Sequence, residues 1–228
     1  MKKRNKKSLG ITMGLLMAFV LWTLAIRYID VQAIGPRGSL VGFATLNGFF
    51  HSLTGVHMLL YTITDWLGLV PLCVVFGFAI LGLIQMIKRR SLLKVDYSIL
   101  VLGGFYIIVM AAYVFFEMFV VNYRPILIEG NLEASYPSST TMLVMCVIPT
   151  AIMQFQSRIK NQRIRKIVAC ILIAFTVFMV VGRLVSGVHW ITDIIGGALL
   201  SAGLVMLYDF VNGKRGRRSG NKTDTREG

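Results

Sequence analysis

The chain has 228 residues, of which 56% are hydrophobic and only 15% are charged, and its mean hydropathy is +0.71. No soluble core of this size covers so much apolar surface, so the composition excludes an ordinary soluble enzyme. The formal net charge of +14 would suit a nucleic-acid partner, but the basic residues gather in four blocks, with no basic groove interleaved with aromatic residues. We therefore expect no binding of nucleic acid.

Six long apolar runs dominate the sequence. A helix needs about 20 predominantly apolar residues to cross the hydrocarbon core of a bilayer. The runs lie at residues 9–29, 67–87, 97–121, 141–155, 167–187 and 190–211. The sequence therefore predicts an all-α, polytopic membrane protein with six transmembrane helices.

The basic blocks, at residues 2–7, 88–94, 158–166 and 214–226, predict the orientation of these helices. The positive-inside rule assigns such blocks to the cytoplasm, so both termini are predicted to be cytoplasmic and the protein to lie in the cytoplasmic membrane. We predict one membrane domain over residues 1–213 and a basic, disordered cytoplasmic tail at 214–228, which has too few apolar residues to fold.

The first apolar run could be a cleaved signal peptide or a retained helix. It is longer than the roughly 7 to 15 residues usual for the core of a signal peptide, which favours a retained helix. The segment 30–65 is mixed in character and carries several glycine breakers. It predicts an outer loop with an interfacial helix.

Two arginines stand near the predicted outer face. Arg183 lies inside an apolar run, where an arginine costs about 2.5 to 3.5 kcal/mol at the helix centre, and Arg124 follows the third run. Arg183 alone could be a snorkelling anchor. Two guanidiniums at the same face can instead bind a phosphate through paired, charge-assisted hydrogen bonds.

Two further groups of polar residues share this face. His189 and Asp193 are four residues apart, so a helix would place them on one side; the carboxylate can orient one ring nitrogen and leave the other as a nucleophile or base. Such a pair also occurs as a simple polar contact at a helix start. Residues 136–141 offer hydroxyls and backbone N–H groups at a helix N-terminus, which suit an oxyanion or simply cap the helix.

In combination these residues resemble the type 2 phosphatidic acid phosphatase (PAP2) superfamily, whose pattern is K-x6-R-P, then P-S-G-H, then S-R-x5-H-x3-D. The matching residues here are Glu117-x6-Arg124-Pro125, Pro137-Ser138-Ser139-Thr140 and Gly182-Arg183-x5-His189-x3-Asp193. The resemblance spans residues 117–193 with the surrounding helices. It implies a helical core whose membrane members have six spans.

The resemblance also implies roles. The family histidine matching His189 attacks phosphorus to form a phosphohistidine, and the aspartate matching Asp193 orients it. No metal or other cofactor is expected, because the family requires none. The residues implied in holding the phosphoryl oxygens are Arg124, Arg183, Ser138, and the backbone that follows at Ser139 and Thr140.

Two departures from the family pattern, in the second and third motifs, each remove a functional group. Gly182 stands where the family has serine, which removes one hydroxyl. Thr140 stands where the family has the histidine that acts as general acid, and a threonine hydroxyl cannot donate a proton near neutral pH as an imidazolium does. Losing a general acid typically costs about 10²- to 10⁴-fold in rate. The loss matters least for a diphosphate, which expels an acidic phosphate monoester.

Glu117 is the third departure, because it replaces a phosphate-binding lysine with an anion. It would weaken substrate binding unless it is protonated or paired with Arg124 or Arg183. A protonated Glu117 is one hypothesis for the missing acid. His51 and His57, in the predicted outer loop, are other conceivable acids.

The leading prediction is an integral-membrane phosphatase whose site faces outside and hydrolyses a lipid phosphate or diphosphate. Polyprenyl diphosphate, phosphatidylglycerophosphate and phosphatidate are the candidate substrates, with a diphosphate preferred because the acid is missing. The alternative is a lipid-phosphate-binding protein that keeps the pocket without catalysis. The residues do not indicate an oligomeric state.

Overall fold

The computed structural model describes the backbone of residues 2–224 and the side chains of residues 7–213. In this part of the chain the fold is helical, and extended pairing is limited to isolated bridges. The α-helices, in chain order, are α1 (Lys2–Tyr28), α2 (Ala44–Thr54), α3 (Met58–Leu67), α4 (Leu69–Arg89), α5 (Tyr97–Met118), α6 (Ser139–Arg158), α7 (Gln162–Val185) and α8 (Ile191–Asp224).

Among the described residues, six helical segments are long and apolar enough to cross a membrane, which confirms the predicted number of spans. The protein is a multi-pass membrane protein. The second span differs most from its prediction, since α3 and α4 together form one apolar segment, Met58–Arg89, that begins nine residues before the predicted start. Gly68, between the two helices, keeps a right-handed helical conformation, so the segment continues through it.

The helix α1 packs along α8, and both contribute to the end of the core that carries the connection between α7 and α8. Trp22 donates a hydrogen bond from Nε1 to the carbonyl oxygen of Thr192 at 3.1 Å. Nearer the middle of the bundle, a Cβ at Gly203 would lie 2.7 Å from Leu16 Cδ2, so the glycine allows the two helices to approach closely. The first apolar run is thus an integral part of the fold.

The helix α3 lies against α7 at a second close contact. Gly182 of α7 is buried, and a Cβ at this position would lie 2.8 Å from Thr64 Cγ2. The absence of a side chain at 182 therefore sets how near α3 comes to the centre of the protein. Asp65 follows Thr64 on α3, and the close packing brings its side chain to Arg183 of α7.

The basic residues gather at the opposite end of the bundle. There Asp96, just before α5, pairs with Arg89 at 2.9 Å and with Arg158 at 3.7 Å, which ties the ends of α4 and α6 together. This arrangement agrees with basic loops on one side of a membrane. The predicted tail at 214–228 lies outside the residues whose side chains the structure describes and stays a prediction.

Candidate active site

A loop between α5 and α6 carries two site residues towards the centre of the bundle, at the end opposite the basic loops. Its two arms pair through an isolated bridge between Tyr123 and Ala134. Arg124 donates its backbone N–H to the carbonyl of Glu133 at 3.1 Å, and Ser135 donates to the carbonyl of Asn122 at 2.9 Å. These bonds fix Arg124 on one arm and Ser135 on the other.

His189 lies in the short connection between α7 and α8 and is only 4% exposed. The connection turns at Gly187, whose φ of +68° lies in the left-handed region that favours glycine. A Cβ there would also lie 1.9 Å from the carbonyl oxygen of Gly55, in the loop before α3. Both the positive φ and the close contact therefore require glycine at position 187. The turn places His189 just before the start of α8.

A serine links the histidine to the aspartate. Ser135 donates a 2.5 Å hydrogen bond from its hydroxyl to Asp193 Oδ2, and its Oγ lies 3.0 Å from His189 Nδ1. The direct separation between Nδ1 and Oδ2 is 3.9 Å, too long for a hydrogen bond. The predicted shared helical face is not formed, because His189 lies before α8 begins at Ile191. Asp193 instead reaches the ring through Ser135.

This chain of bonds assigns the proton on the ring. Since the Ser135 hydroxyl donates to Asp193, its oxygen accepts from Nδ1–H of His189, which leaves Nε2 with a lone pair. Burial lowers the pKa of His189 to about 4; Arg124 and Arg183 lower it as well, and Asp193 opposes the shift. The ring is therefore neutral near pH 7, and its buried Nε2 has no hydrogen-bond partner in the described part of the chain.

Arg183 is the centre of a second cluster. Its side chain is 3% exposed, and Nη2 donates to Asp65 Oδ1 at 2.8 Å and to Thr140 Oγ1 at 2.5 Å. Its Nε and Nη1 are buried and find no acceptor within residues 7–213. Because buried donors are almost always paired, these two nitrogens point to an acceptor that comes from a ligand.

Arg124 approaches the same place from the loop. Its Nε lies 3.1 Å from Glu133 Oε2, without the angle of a hydrogen bond, and its Nη1 has no acceptor among the described residues. The Tyr61 ring of α3 lies beside both guanidiniums: its centroid is 4.9 Å from Arg183 Cζ and 6.0 Å from Arg124 Cζ. The aromatic ring helps to hold two like charges near each other.

The segment before α6 completes the cluster. Ser138 caps this helix and donates its backbone N–H to the carbonyl of Asp193 at 3.1 Å, so the second and third motifs are directly joined. The next two N–H groups, of Ser139 and Thr140, make no hydrogen bond in the described part of the chain. They lie at the positive end of the helix dipole, where an oxyanion is favoured.

Tyr136 anchors this segment in the core. Its hydroxyl lies 2.7 Å from that of Thr23 in α1, and its ring is stacked with Phe19. A Cβ at Gly196 of α8 would lie 2.3 Å from the Tyr136 ring, so glycine is required there for the ring to fit. The position of Ser138 is thereby set by α1 and α8 together.

Glu117 lies at the exposed end of α5 and lines a small cavity together with Ser135, Ser139 and His189. Within residues 7–213 it forms no ion pair, so pairing with Arg124 or Arg183 does not offset its charge. The partners of these arginines are Glu133 and Asp65 instead.

The two other histidines lie outside the cavities beside this cluster. His51 packs against Trp190 with the ring centroids 5.5 Å apart, and burial lowers its pKa. His57 is exposed, and its Nε2 lies 2.9 Å from the carbonyl of Thr54. Neither contacts Arg183 or Thr140 among the described residues.

An apolar cavity of about 370 Å³ opens between α4, α5 and α6. Its walls are the apolar side chains of these helices, and its polar end is formed by Asp65, Ser139 and Thr140. It shares Tyr113 and Ser139 with the small cavity beside His189. The chain thus has a lateral gap between helices that leads from an apolar surface to the polar cluster.

Sequence reasoning identified Arg124, Ser138, Ser139, Thr140, Arg183, His189 and Asp193, and the structure brings all of these together. It did not identify Ser135, Tyr61 or Asp65. A serine and a tyrosine carry no distinguishing signal in a sequence. Asp65 does carry a signal, since a lone acidic residue within an apolar helix is energetically costly and usually functional. It lies at the end of segment 30–65, which the sequence predicts to be an outer loop with an interfacial helix.

The comparisons with known proteins agree with this geometry. The model of the PAP2 superfamily matches residues 118–215. The fold is similar to the crystal structure of a transmembrane PAP2 type phosphatidylglycerolphosphate phosphatase from Bacillus subtilis, with a TM-score of 0.61, 17% sequence identity and coverage of 89% of this chain and 96% of that one. No curated protein matches the chain. The resemblance read from the three motifs is confirmed: residues 118–215 match the PAP2 superfamily, and the fold is similar to that of a PAP2 type phosphatase.

Proposed function

We propose that this protein is a membrane phosphatase that hydrolyses a lipid phosphate or diphosphate through a phosphohistidine at His189. One observation carries the proposal: the free Nε2 of a neutral, buried His189 lies in the same cluster as the unpaired, buried nitrogens of Arg124 and Arg183. The lone pair lies beside three guanidinium nitrogens without a partner among the described residues, Arg124 Nη1 and Arg183 Nε and Nη1. This arrangement suits a tetrahedral oxyanion with an electrophilic centre better than any neutral ligand.

The proposed first step uses each part of the cluster. The free nitrogens of Arg124 and Arg183 and the free N–H groups at the start of α6 bind the phosphoryl oxygens and stabilise the charge that develops on them. His189 Nε2 attacks phosphorus, and the bond from phosphorus to the leaving oxygen breaks. The ring becomes positive as the bond forms, and the chain from Nδ1–H through Ser135 to Asp193 stabilises that charge.

The apolar cavity supports a lipid substrate. It opens between α4, α5 and α6 and ends at Ser139 and Thr140, so a chain lying in it would bring its phosphorylated end to Arg183. A water-soluble phosphate ester would gain no binding free energy from the apolar side chains of this cavity, whereas each CH₂ group of a lipid buried there contributes about 0.8 kcal/mol.

A diphosphate is the substrate that these residues favour within this class. Thr140 Oγ1 accepts a hydrogen bond from Arg183, and a threonine is no proton donor at neutral pH. A polyprenyl diphosphate loses a polyprenyl phosphate, which leaves without protonation, while phosphatidate would have to lose an alkoxide. We propose that the site faces the outer side of the cytoplasmic membrane, opposite the basic loops.

The test is phosphate release by detergent-purified protein from a polyprenyl diphosphate, phosphatidylglycerophosphate and phosphatidate. We expect the diphosphate to turn over fastest and His189→Ala to abolish release, while His57→Ala, which removes an exposed histidine outside the cavities, keeps the wild-type rate. Full release by His189→Ala would refute the phosphohistidine route. Binding of all three lipids without any release by the wild type would identify the chain as a lipid-phosphate binder.

A further inference from the structure

We infer that Asp65 is the general base that activates water for hydrolysis of the phosphohistidine. The inference rests on the proposed function and adds a residue that the three motifs do not contain. It concerns the second half of the reaction, in which water must lose a proton as it attacks phosphorus, because water itself is too weak a nucleophile.

Asp65 lies beside position 140, where the family pattern has its acid–base histidine. Asp65 Oδ1 and Thr140 Oγ1 both accept from the single nitrogen Nη2 of Arg183, at 2.8 and 2.5 Å. Two oxygens bonded to one nitrogen can be no farther apart than the sum of these distances. The carboxylate therefore lies beside position 140, where the missing imidazole would stand, and it contacts the same guanidinium nitrogen as Thr140.

Asp65 is also the accessible member of its ion pair, as a general base must be. Its side chain is 58% exposed, whereas its partner Arg183 is 3% exposed. It lines the apolar cavity at its polar end together with Thr140. Only Oδ1 is bonded to the arginine among the described residues, so Oδ2 is available to accept a proton.

The close packing of α3 on α7 explains why a carboxylate reaches this position. Gly182, where the family has serine, leaves room for the methyl group of Thr64, which a Cβ would meet at 2.8 Å. That contact lets the next residue, Asp65, approach Arg183, which is one position beyond Gly182. Two departures from the family pattern, at 140 and 182, thus have a common consequence: one removes an acid–base group and the other admits a replacement.

The proposed step balances as follows. The oxygen of a water molecule forms a bond to phosphorus while the bond between phosphorus and His189 Nε2 breaks. The water proton passes to Asp65, and the electron pair of the broken bond returns to Nε2. Inorganic phosphate leaves, and Asp65 then releases its proton to solvent. The first step needs no contribution from this residue when the leaving group is a phosphate monoester.

The test is a rapid-mixing measurement with a polyprenyl diphosphate, in which polyprenyl phosphate and inorganic phosphate are counted separately. In Asp65→Asn we expect one polyprenyl phosphate per protein in an initial burst, without matching inorganic phosphate, and an acid-labile phosphohistidine that accumulates. Steady turnover should fall by about 10²- to 10⁴-fold, the range for loss of a general base. Glu129→Gln removes an exposed carboxylate at the tip of the 119–138 loop and should behave as the wild type.

The outcomes separate the two claims. Turnover of Asp65→Asn within threefold of the wild type, or loss of the burst with intact vanadate binding, would overturn the role of Asp65, since the residue would then be dispensable or needed in the first step. Unchanged thermal unfolding and vanadate binding in Asp65→Asn show that the variant is folded. A wild type that releases neither product refutes the proposed function itself.

Discussion

Replacement of Ser135 by alanine tests the connection between His189 and Asp193 most directly. The hydroxyl is the only group among the described residues that bonds to His189 Nδ1, and it supplies one of the two hydrogen bonds to Asp193 Oδ2, the other coming from the N–H of Trp190 at 2.9 Å. Without it the ring and the carboxylate face each other across 3.9 Å.

The size of the effect follows from burial. His189 and Asp193 are 4% and 0% exposed, so bulk water cannot take the place of the lost hydroxyl. A buried polar group left without its partner costs about 1 to 3 kcal/mol. If the same amount is lost in the transition state, where the ring is positive, the rate of the chemical step falls about 5- to 150-fold.

The assay is steady-state hydrolysis of a polyprenyl diphosphate by Ser135→Ala, with Ser52→Ala as the control. Ser52 lies on the exposed face of α2 and bonds only to its own helix, through the carbonyl of Phe49. We expect kcat to fall in Ser135→Ala with little change in KM, since the hydroxyl faces away from the phosphoryl group. A kcat within twofold of the wild type would show that His189 does not depend on Ser135 for its orientation.

Three further predictions follow from the same geometry. Burial lowers the pKa of His189 from 6.5 to about 4. Between pH 6.5 and pH 4 the unfolded chain therefore protonates this histidine while the folded chain does not, and the folded state loses stability as the pH falls. The free energy of unfolding, measured by SDS titration, should therefore fall by about 3 kcal/mol over that range, and by less in His189→Gln; identical pH dependence would contradict a buried neutral ring. Gly182→Ser should lower the free energy of unfolding by about 1 to 3 kcal/mol through overpacking. Adding Thr64→Ser, which removes the opposing methyl group, should restore most of this loss in the double variant. Tyr61→Leu should weaken inhibition by vanadate about 2- to 30-fold through loss of its cation–π contacts, while Tyr61→Phe keeps it; unchanged inhibition in the leucine variant would show that the ring does not hold the guanidiniums.

The overall architecture was predictable because the bilayer imposes its own length on apolar helices. Hydropathy alone predicts six spans, and the described part of the chain contains six helical segments long and apolar enough to cross a membrane. The start of the second span was wrong by nine residues, because Gly68 and the charge of Asp65 reduce the apolar signal over a segment that is nevertheless helical. Gly68 retains helical dihedral angles, and the charge of Asp65 is paired with Arg183, so neither interrupts the helix.

The motif residues were predictable, but the contacts that organise them were not. A short spacing such as that of His189 and Asp193 keeps the two residues close along the chain, although His189 lies before α8 begins and does not share a helical face with Asp193. Ser135 enters between them from a loop 54 residues before the histidine, and Asp65 reaches Arg183 across 118 residues of sequence. Such contacts arise from packing, and no local sequence pattern predicts them. Here they depend on the pairing of Asn122 with Ser135 and on the absence of a side chain at Gly182.

The distribution of charge around the two arginines explains how they can be buried and still receive an anion. A buried cation is costly unless it is paired. Each guanidinium is paired on one side only, with a carboxylate that is itself partly exposed: Asp65 is 58% exposed and Glu133 is 41% exposed. The inward nitrogens remain free, so a phosphoryl group can bind there without displacing either carboxylate or leaving it unsolvated. Because the two carboxylates already offset the two cations, the net field is weak. Binding therefore depends on the directed donors and on the neutral state of His189 more than on long-range attraction.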